Sequence, residues 1–229
     1  MAPEVFWSGT RDASADVYSI GLLLYAGVSG GRLPFYPDDR APLPEDHAEA
    51  LRRRGYEAAV AASSAEAREL ALAEAKGAAS IAWGGSETLK ETGIRAALEA
   101  SGVEIREHQT VADLFLLSAN ALTDDGIIVN IDGTGNRVAA SIYGPKRVLY
   151  VVGRNKLVAG GVMEAIRRAK KTASPPNCRR LGKKTPCAEL GVCADCDSPD
   201  RICKVTAIFE RPPTHTPTKV LLVDEDLGY

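Results

Sequence analysis

The chain has no apolar run approaching the roughly 18 residues that a membrane-spanning helix requires, so no membrane partner is expected. No charged region precedes its first apolar run, as a secretory signal would demand, and the expected compartment is the cytoplasm. Neither sign of charge dominates: 28 Lys and Arg against 30 Asp and Glu leave a net charge of -2. No basic stripe is interleaved with aromatics, so no nucleic-acid partner is expected either. The densest basic cluster, Arg179-Arg180 with Lys183-Lys184, reads as a solvated loop. Histidine is scarce. His47 falls in a helical pattern, His108 in the short connection between the third and fourth predicted strands and His215 in a proline turn, and all three read as solvent-facing. No Ser–His–Asp or Cys–His nucleophile can be assembled from them. What is present is an ordinary globular composition, 45% hydrophobic and 25% charged over 229 residues, suited to one domain or one domain plus a fragment.

The first 44 residues differ in character from the rest. Ala2-Pro3-Glu4, Asp16–Gly21 and Gly31–Phe35 fall in the order of three landmarks of a protein-kinase catalytic domain, which this segment resembles. The glycine-rich loop, ATP-binding lysine and catalytic loops that phosphoryl transfer needs are not in the sequence, so kinase activity is rejected. Val17–Val28 is apolar on nearly every face and should be buried, paired or exposed and adhesive. Prolines at 34, 37, 42 and 44 mark an extended linker. The expected division is residues 1–44 as a detached, kinase-like helical segment and 45–229 as an α/β domain.

From Glu45 onward helices and strands alternate. The spacing predicts helices over Glu45–Arg54, Ala65–Ala75, Glu87–Glu99, Val138–Tyr143 and Gly161–Lys171, the last with Val162, Met163 and Ile166 inward. Ser63 or Ser64 should cap the second of these. Strands are predicted at Tyr56–Ala61, Ser80–Trp83, Val103–Arg106, Leu114–Leu117, Ile127–Ile131, Arg147–Val152, Lys204–Phe209 and Lys219–Val223. The last two read as an edge hairpin, and 173–184, with Pro175-Pro176, as a loop. Only about seven residues separate the third strand from the fourth, whereas a parallel crossover takes about a dozen or more. Either the two strands are not parallel neighbours or a helix has been lost; the truncated crossover is the favoured reading.

Three polar turns follow apolar strands: Gly84-Gly85-Ser86, Gly133-Thr134-Gly135-Asn136-Arg137, and Gly153-Arg154-Asn155-Lys156. If the strands are parallel these turns converge on one sheet edge, where open α/β sheets bind ligands. The candidate ligand-binding residues are therefore Gly84, Gly85, Ser86, Gly133, Gly135, Asn136, Arg137 and Asn155. Backbone N–H groups of the central loop could hold an anion, with Arg137 as a two-point clamp. The loop is neither a dinucleotide fingerprint nor a Walker loop. It reads equally as a tight turn with Asn136 as helix cap and Arg137 paired with Asp132. Glu87 and Glu91 read as a solvated helix face.

Cys187, Cys193, Cys196 and Cys203 fall within seventeen residues and include one C-x2-C pair. Four thiolates suit zinc or an iron–sulfur cluster, and clustered cysteines in a chain without an export signal favour metal over disulfides. The spacing matches neither zinc ribbons nor ferredoxins. Cys178 reads as a separate thiol, outside the ligand set.

Several of these stretches together carry a resemblance. SIAWGGSETLKETG (80–93), NIDGTGNRVAASIYGPKRVLYVVGRNKLV (130–158) and TPCAELGVCADCDSPDRIC (185–203) resemble, in order, the LUD-domain or lactate-utilisation family, over roughly residues 45–229. The resemblance implies a NagB/RpiA/CoA-transferase-like open sheet with flanking helices. It also implies a role in oxidising lactate to pyruvate, with a small anionic ligand and other subunits of a lactate-oxidising complex as partners. That association tilts the cysteine site toward iron–sulfur. Fold analogy alone suggests a sugar-phosphate isomerase or CoA-transferase-like enzyme instead, for which no lysine or carboxylate aimed into the pocket can be placed. A third alternative is a fused or truncated product without independent activity.

Overall fold

The computed structural model describes residues 43–229 and, before them, Ile20, Gly21, Leu23 and Leu24. The chain divides into two units, Met1–Ala41 and Pro42–Tyr229. In the first, the four described residues are helical, with Ile20, Leu23 and Leu24 exposed. The kinase-like landmarks otherwise lie outside the described residues.

The second unit is a mixed α/β fold built on an open, wholly parallel six-stranded sheet. Its strands are β1 (Glu57–Ala61), β2 (Ser80–Trp83), β3 (Glu104–Ile105), β4 (Leu114–Leu117), β7 (Arg147–Gly153) and β10 (Thr218–Val223), in the spatial order β1-β10-β7-β4-β2-β3. A smaller sheet runs β8-β5-β6-β9 and comprises β5 (Ala121–Thr123), β6 (Ile128–Asp132), β8 (Leu157–Val158) and β9 (Val205–Phe209). The helices are α1 (Pro44–Arg53), α2 (Ser64–Ala75), α3 (Glu87–Glu91), α4 (Ile94–Ala100), α5 (Asn136–Ile142), α6 (Val162–Arg168), α7 (Ser174–Arg180) and α8 (Pro186–Leu190).

Central strands of a sheet covered on both faces are apolar at nearly every position, and β4 and β7 are. Leu114, Leu116, Leu149 and Val151 point to one face, where Ala67 and Ala71 of α2, Leu89 of α3 and Ile94 and Leu98 of α4 meet them. Phe115, Leu117, Val148 and Tyr150 point to the other, against Leu51 of α1, Ala140 of α5 and Leu122 and Ile128 of the small sheet. Helix α6 covers the outer side of the small sheet through Ala165, with Val162 and Ile166 packed alongside.

Local signals account for most boundaries. Pro44 begins α1 at a position where its missing N–H is no loss, and Ser63 caps α2 by accepting from the Glu66 N–H (3.3 Å). The stretch read as one helix over 87–99 is two, because Gly93 adopts φ +70° between α3 and α4. Within the predicted loop 173–184, Ser174–Arg180 is helical and only 181–184 is turn and coil. Helix α6 continues through a π turn, Ala169–Ala173, into α7, with Pro175 and Pro176 in its first turn, where Pro is tolerated. Met163 is 77% exposed rather than inward. His47 is buried, with Nδ1 3.0 Å from the Leu43 carbonyl, because it shares the inward face of α1 with Ala48 and Leu51. His108 and His215 are exposed.

Two topological expectations change. The last two strands are not a hairpin: β9 pairs antiparallel with β6, while β10 lies between β1 and β7 in the main sheet. β3 and β4 are parallel but not neighbours, since β2 separates them. β3 ends at Ile105, paired with Ile81, which is also the partner of Leu114 at the start of β4. The connection therefore has little strand length to retrace, and a single 3-10 turn, Gln109–Val111, suffices without a helix.

Candidate functional site

Two places at the carboxyl ends of the strands gather polar side chains. The first is a pocket of about 400 Å³ between the Gly133 loop and α7, within the size range of small-ligand sites. Gly85, Gly133, Asn136 and Arg137 line it, joined by Asn120, Asn177, Arg180 and Lys183, which sequence reasoning did not select. Gly84 lies behind the lining, where an added Cβ would come within 2.9 Å of Arg137 Cδ. Gly133 passes close to the Ile202 backbone, 3.1 Å for the same test. A side chain at either glycine would crowd its neighbour, the Arg137 side chain at Gly84 and the Ile202 backbone at Gly133. Gly135 takes φ +86° as the N-cap of α5. Asn136 is not that cap; its side-chain amide donates to Gln109 Oε1 (3.4 Å). Ser86 caps α3 by accepting from the Leu89 N–H (3.2 Å).

Arg137 is committed inward. Its Nε donates to Asp132 Oδ1 (3.3 Å), Nη1 to the Ser118 carbonyl (2.8 Å) and Asn130 Oδ1 (3.3 Å), and Nη2 to Asn120 Oδ1 (2.8 Å) and the Ile131 carbonyl (2.9 Å). A guanidinium has five N–H donors, and these five bonds use that capacity. Asp132 is equally engaged, since its Oδ2 accepts from the Val138 N–H (3.0 Å). The pairing of Arg137 with Asp132 is therefore the geometry observed, and the guanidinium holds no donor in reserve for a ligand clamp. The network extends to Tyr150, whose hydroxyl accepts from Asn130 Nδ2 (3.1 Å) and is pushed up to about 12 by burial. Pocket cations available to solvent come from elsewhere. Arg180 is shared with Glu87 (3.4 Å) and Asn177 Oδ1 (2.9 Å), and half-buried Lys183 forms no ion pair among the described residues. Glu87 is thus a partner of the pocket rim, not a freely solvated carboxylate.

The second place lies between β2 and β4. These strands are adjacent and parallel, but the chain leaves β2 toward α3 and α4 on one face and leaves β4 toward the small sheet and α5 on the other. Strand ends that diverge in this way open a crevice, the usual ligand position in open α/β sheets. It is occupied by Lys156, which the 3-10 turn Arg154–Lys156 carries in from the end of β7. Lys156 is 3% exposed, and its Nζ donates to Thr88 Oγ1 (2.5 Å) and Ser118 Oγ (2.8 Å). Burial, then the nearby Arg168 and Arg137 cations, bring it down from 10.5 to about 7, against a smaller opposing effect of Glu91. Nor has Arg168 a carboxylate partner among the described residues: three of its five N–H groups donate to the carbonyls of Asn155 and Asn120, and burial lowers it to about 10. The cover of this crevice is the C-terminal segment. Asn155 grips it, donating to the Gly228 carbonyl (3.0 Å) and accepting from the Leu227 N–H (3.2 Å), so Asn155 holds chain rather than lining the pocket. Glu91 accepts from the Gly228 N–H (2.6 Å). The sequence offered one signal for this site, a basic residue immediately after a buried strand, in the Gly153–Lys156 turn.

The cysteines do not gather as the spacing suggests. Cys187 is buried on α8 beside Cys178, the thiol expected to stand apart, with the Thr185 hydroxyl 3.3 Å from Cys187 Sγ. Burial pushes the Cys178 thiol up, and Cys187 adds to the rise. Cys193, Cys196 and Cys203 lie on the outer loop, half-buried. The cation beside Cys196 and Cys203 is Arg201, which donates to the Cys196 carbonyl (2.6 Å) and is raised by its hydrogen bond to the Cys203 thiol. Among the described residues no three His, Cys, Asp or Glu side chains are placed to share a metal ion. Cys187, Cys193, Cys196 and Cys203 in this arrangement do not fit a four-thiolate zinc or iron–sulfur centre. Nor, among the described residues, is any helix long and apolar enough to cross a membrane.

No curated protein matches the chain. Among solved structures it is similar to a DUF162 family protein from Deinococcus radiodurans, at 15% identity and a TM-score of 0.47, over 78% of this chain and 94% of that one. The LUD domain model matches residues 45–223, most of the chain, and the chain therefore belongs to the LUD-domain family.

Proposed function

We propose that this LUD-domain protein serves lactate utilisation, on the path from lactate to pyruvate, as a subunit that binds a small organic anion in the pocket beside Lys183. The observation that supports the reading most is the pocket rim itself. Among the described residues no acid neutralises Lys183, and the amides of Asn136 and Asn177 stand on the same lining. A cation with side-chain amides around a concavity of about 400 Å³ suits a carboxylate on a small polar body. Arg137 acts in this reading as the internal tie that holds Asp132, Asn120 and Asn130 behind the pocket, and the other subunits of a lactate-oxidising complex would meet the protein from outside. The isomerase or transferase alternative finds less support in this pocket, because its lining carboxylate, Asp132, is already bound to Arg137 and the Val138 N–H.

The test is calorimetric titration of the full chain with lactate, pyruvate, a sugar phosphate and an acyl-CoA, repeated on Lys183→Ala. The reading expects binding of lactate or pyruvate that Lys183→Ala weakens by about tenfold, the scale of one charge-assisted hydrogen bond. Binding of only the sugar phosphate or the acyl-CoA would return the enzyme alternative.

A further inference from the structure

We propose that Lys156 is a carbonyl-reactive amine, the covalent site for a small 2-oxo acid in the crevice between β2 and β4, with Leu227–Gly228 as its removable cover. The site is separate from the Lys183 pocket, and the proposal stands whichever ligand that pocket takes.

The first argument is the bonding of the amine. The Thr88 hydroxyl sends its proton to the Leu227 carbonyl (3.2 Å) and the Ser118 hydroxyl points to the Ala119 carbonyl (3.5 Å), so both oxygens accept from Lys156. A neutral amine has two N–H bonds and one lone pair. Here both N–H bonds are engaged, and among the described residues no donor is directed at the lone pair. An ammonium would have a third N–H with no acceptor and no paired carboxylate among the described residues, which is a costly form to bury. The neutral form fits the site, in keeping with the lowered proton affinity described above. It is also the form that attacks carbonyl carbon.

The second argument concerns what the cover replaces. The Leu227 carbonyl accepts from Thr88, and the Gly228 carbonyl accepts from Asn155. These two oxygens sit on donors that a carboxylate could use once the segment leaves. Gly228 fits only as glycine: its φ is +59°, and an added Cβ would lie 2.7 Å from Thr88 Oγ1 and 3.4 Å from Lys156 Nζ. The charge around the crevice favours an anion. Arg168 from α6 has only carbonyl partners, Arg137 from α5 is balanced by Asp132, and Glu91 from α3 is turned to the Gly228 N–H. A 2-oxo acid offers both features, a carboxylate and an adjacent electrophilic carbon.

The step balances without an oxidant. The Lys156 lone pair forms a C–N bond as the carbonyl π pair moves to oxygen. The proton lost from nitrogen passes to that oxygen, with the Ser118 or Thr88 hydroxyl as relay, giving a carbinolamine. Loss of water then yields the imine, and hydrolysis reverses the sequence.

The experiment is borohydride trapping of the full chain with pyruvate, or with acetaldehyde as the uncharged control, followed by peptide mapping. The proposal expects a reduced adduct on Lys156 with pyruvate in several-fold excess over acetaldehyde, and faster labelling in Leu227→Ala, which loosens the cover. Lys156→Met, an apolar chain suited to the same space, should lose that adduct and keep its cooperative melt. Adducts confined to exposed lysines such as Lys90 and Lys146 in the wild-type chain would overturn the proposal, and so would equal labelling of Lys156 by both carbonyl compounds. The wild-type map decides the matter even if Lys156→Met fails to fold.

Discussion

Arg137 and Lys156 are basic side chains on either side of the same residue: the Ser118 carbonyl accepts from one and its hydroxyl from the other. Their surroundings differ in kind. Arg137 meets a carboxylate, two side-chain amides and two backbone carbonyls, which together use its donor capacity. Lys156 meets two hydroxyls and, among the described residues, no paired carboxylate. A buried charge that is fully partnered is a structural tie, and removing it strands its partners. A buried amine held only by neutral oxygens instead gives up its proton readily, and its lone pair becomes chemically available.

The largest effect should come from breaking the tie. Arg137→Ala leaves Asp132, Asn120 and Asn130 short of partners inside the domain, and a loss of about 3–5 kcal/mol in denaturant unfolding is expected. A variant with wild-type stability and weakened anion binding would instead restore Arg137 as a ligand clamp.

The next effect is proton-linked. Lys156 binds its proton less tightly folded, at about 7, than the usual 10.5. Between those values the unfolded chain holds the proton and the folded chain does not, so stability rises with pH. The penalty is complete below about pH 7 and fades toward 10.5. It should contribute a slope of up to about 1.4 kcal/mol per pH unit in that window, and this slope should be missing from Lys156→Met when the two pH-stability curves are subtracted.

Smaller effects separate surface from interior. Lys183→Ala should leave unfolding unchanged within about 0.5 kcal/mol while reducing anion affinity about tenfold. Cys193→Ser, and treatment with a chelator, should shift the melt least of all, because Cys193 is half-buried on the outer loop and the four thiols do not converge. A large destabilisation by either would show that a metal rearranges this segment.

The sequence revealed strands better than their partners. Ser80–Trp83 and Leu114–Leu117 are legible residue for residue, because each is a short apolar run bounded by polar turns, and burial on both faces demands that pattern. β5 and β8, three and two residues long, carry too few positions for a period to show. The placement of β9 was not legible because its partner β6 is distant in sequence and nothing local distinguishes that pairing from a hairpin with β10. Prolines 175 and 176 read as a loop, although a preceding π turn places them at the start of a helix. In the site, the glycine loop and Gly85 did come together. Arg137 is an arginine in the right place whose direction a sequence does not encode. Lys156 was hidden by its ordinary context, a lysine in a polar turn. Its significance comes from burial by Gly228, Thr88 and Ser118, residues far apart in the chain.

The most direct test is a titration of the lysine side chains by NMR, with the Lys156 resonance assigned through Lys156→Met. The account predicts one lysine with a midpoint at about pH 7, lost in the variant. A Lys156 resonance that moves together with those of the exposed lysines would contradict it.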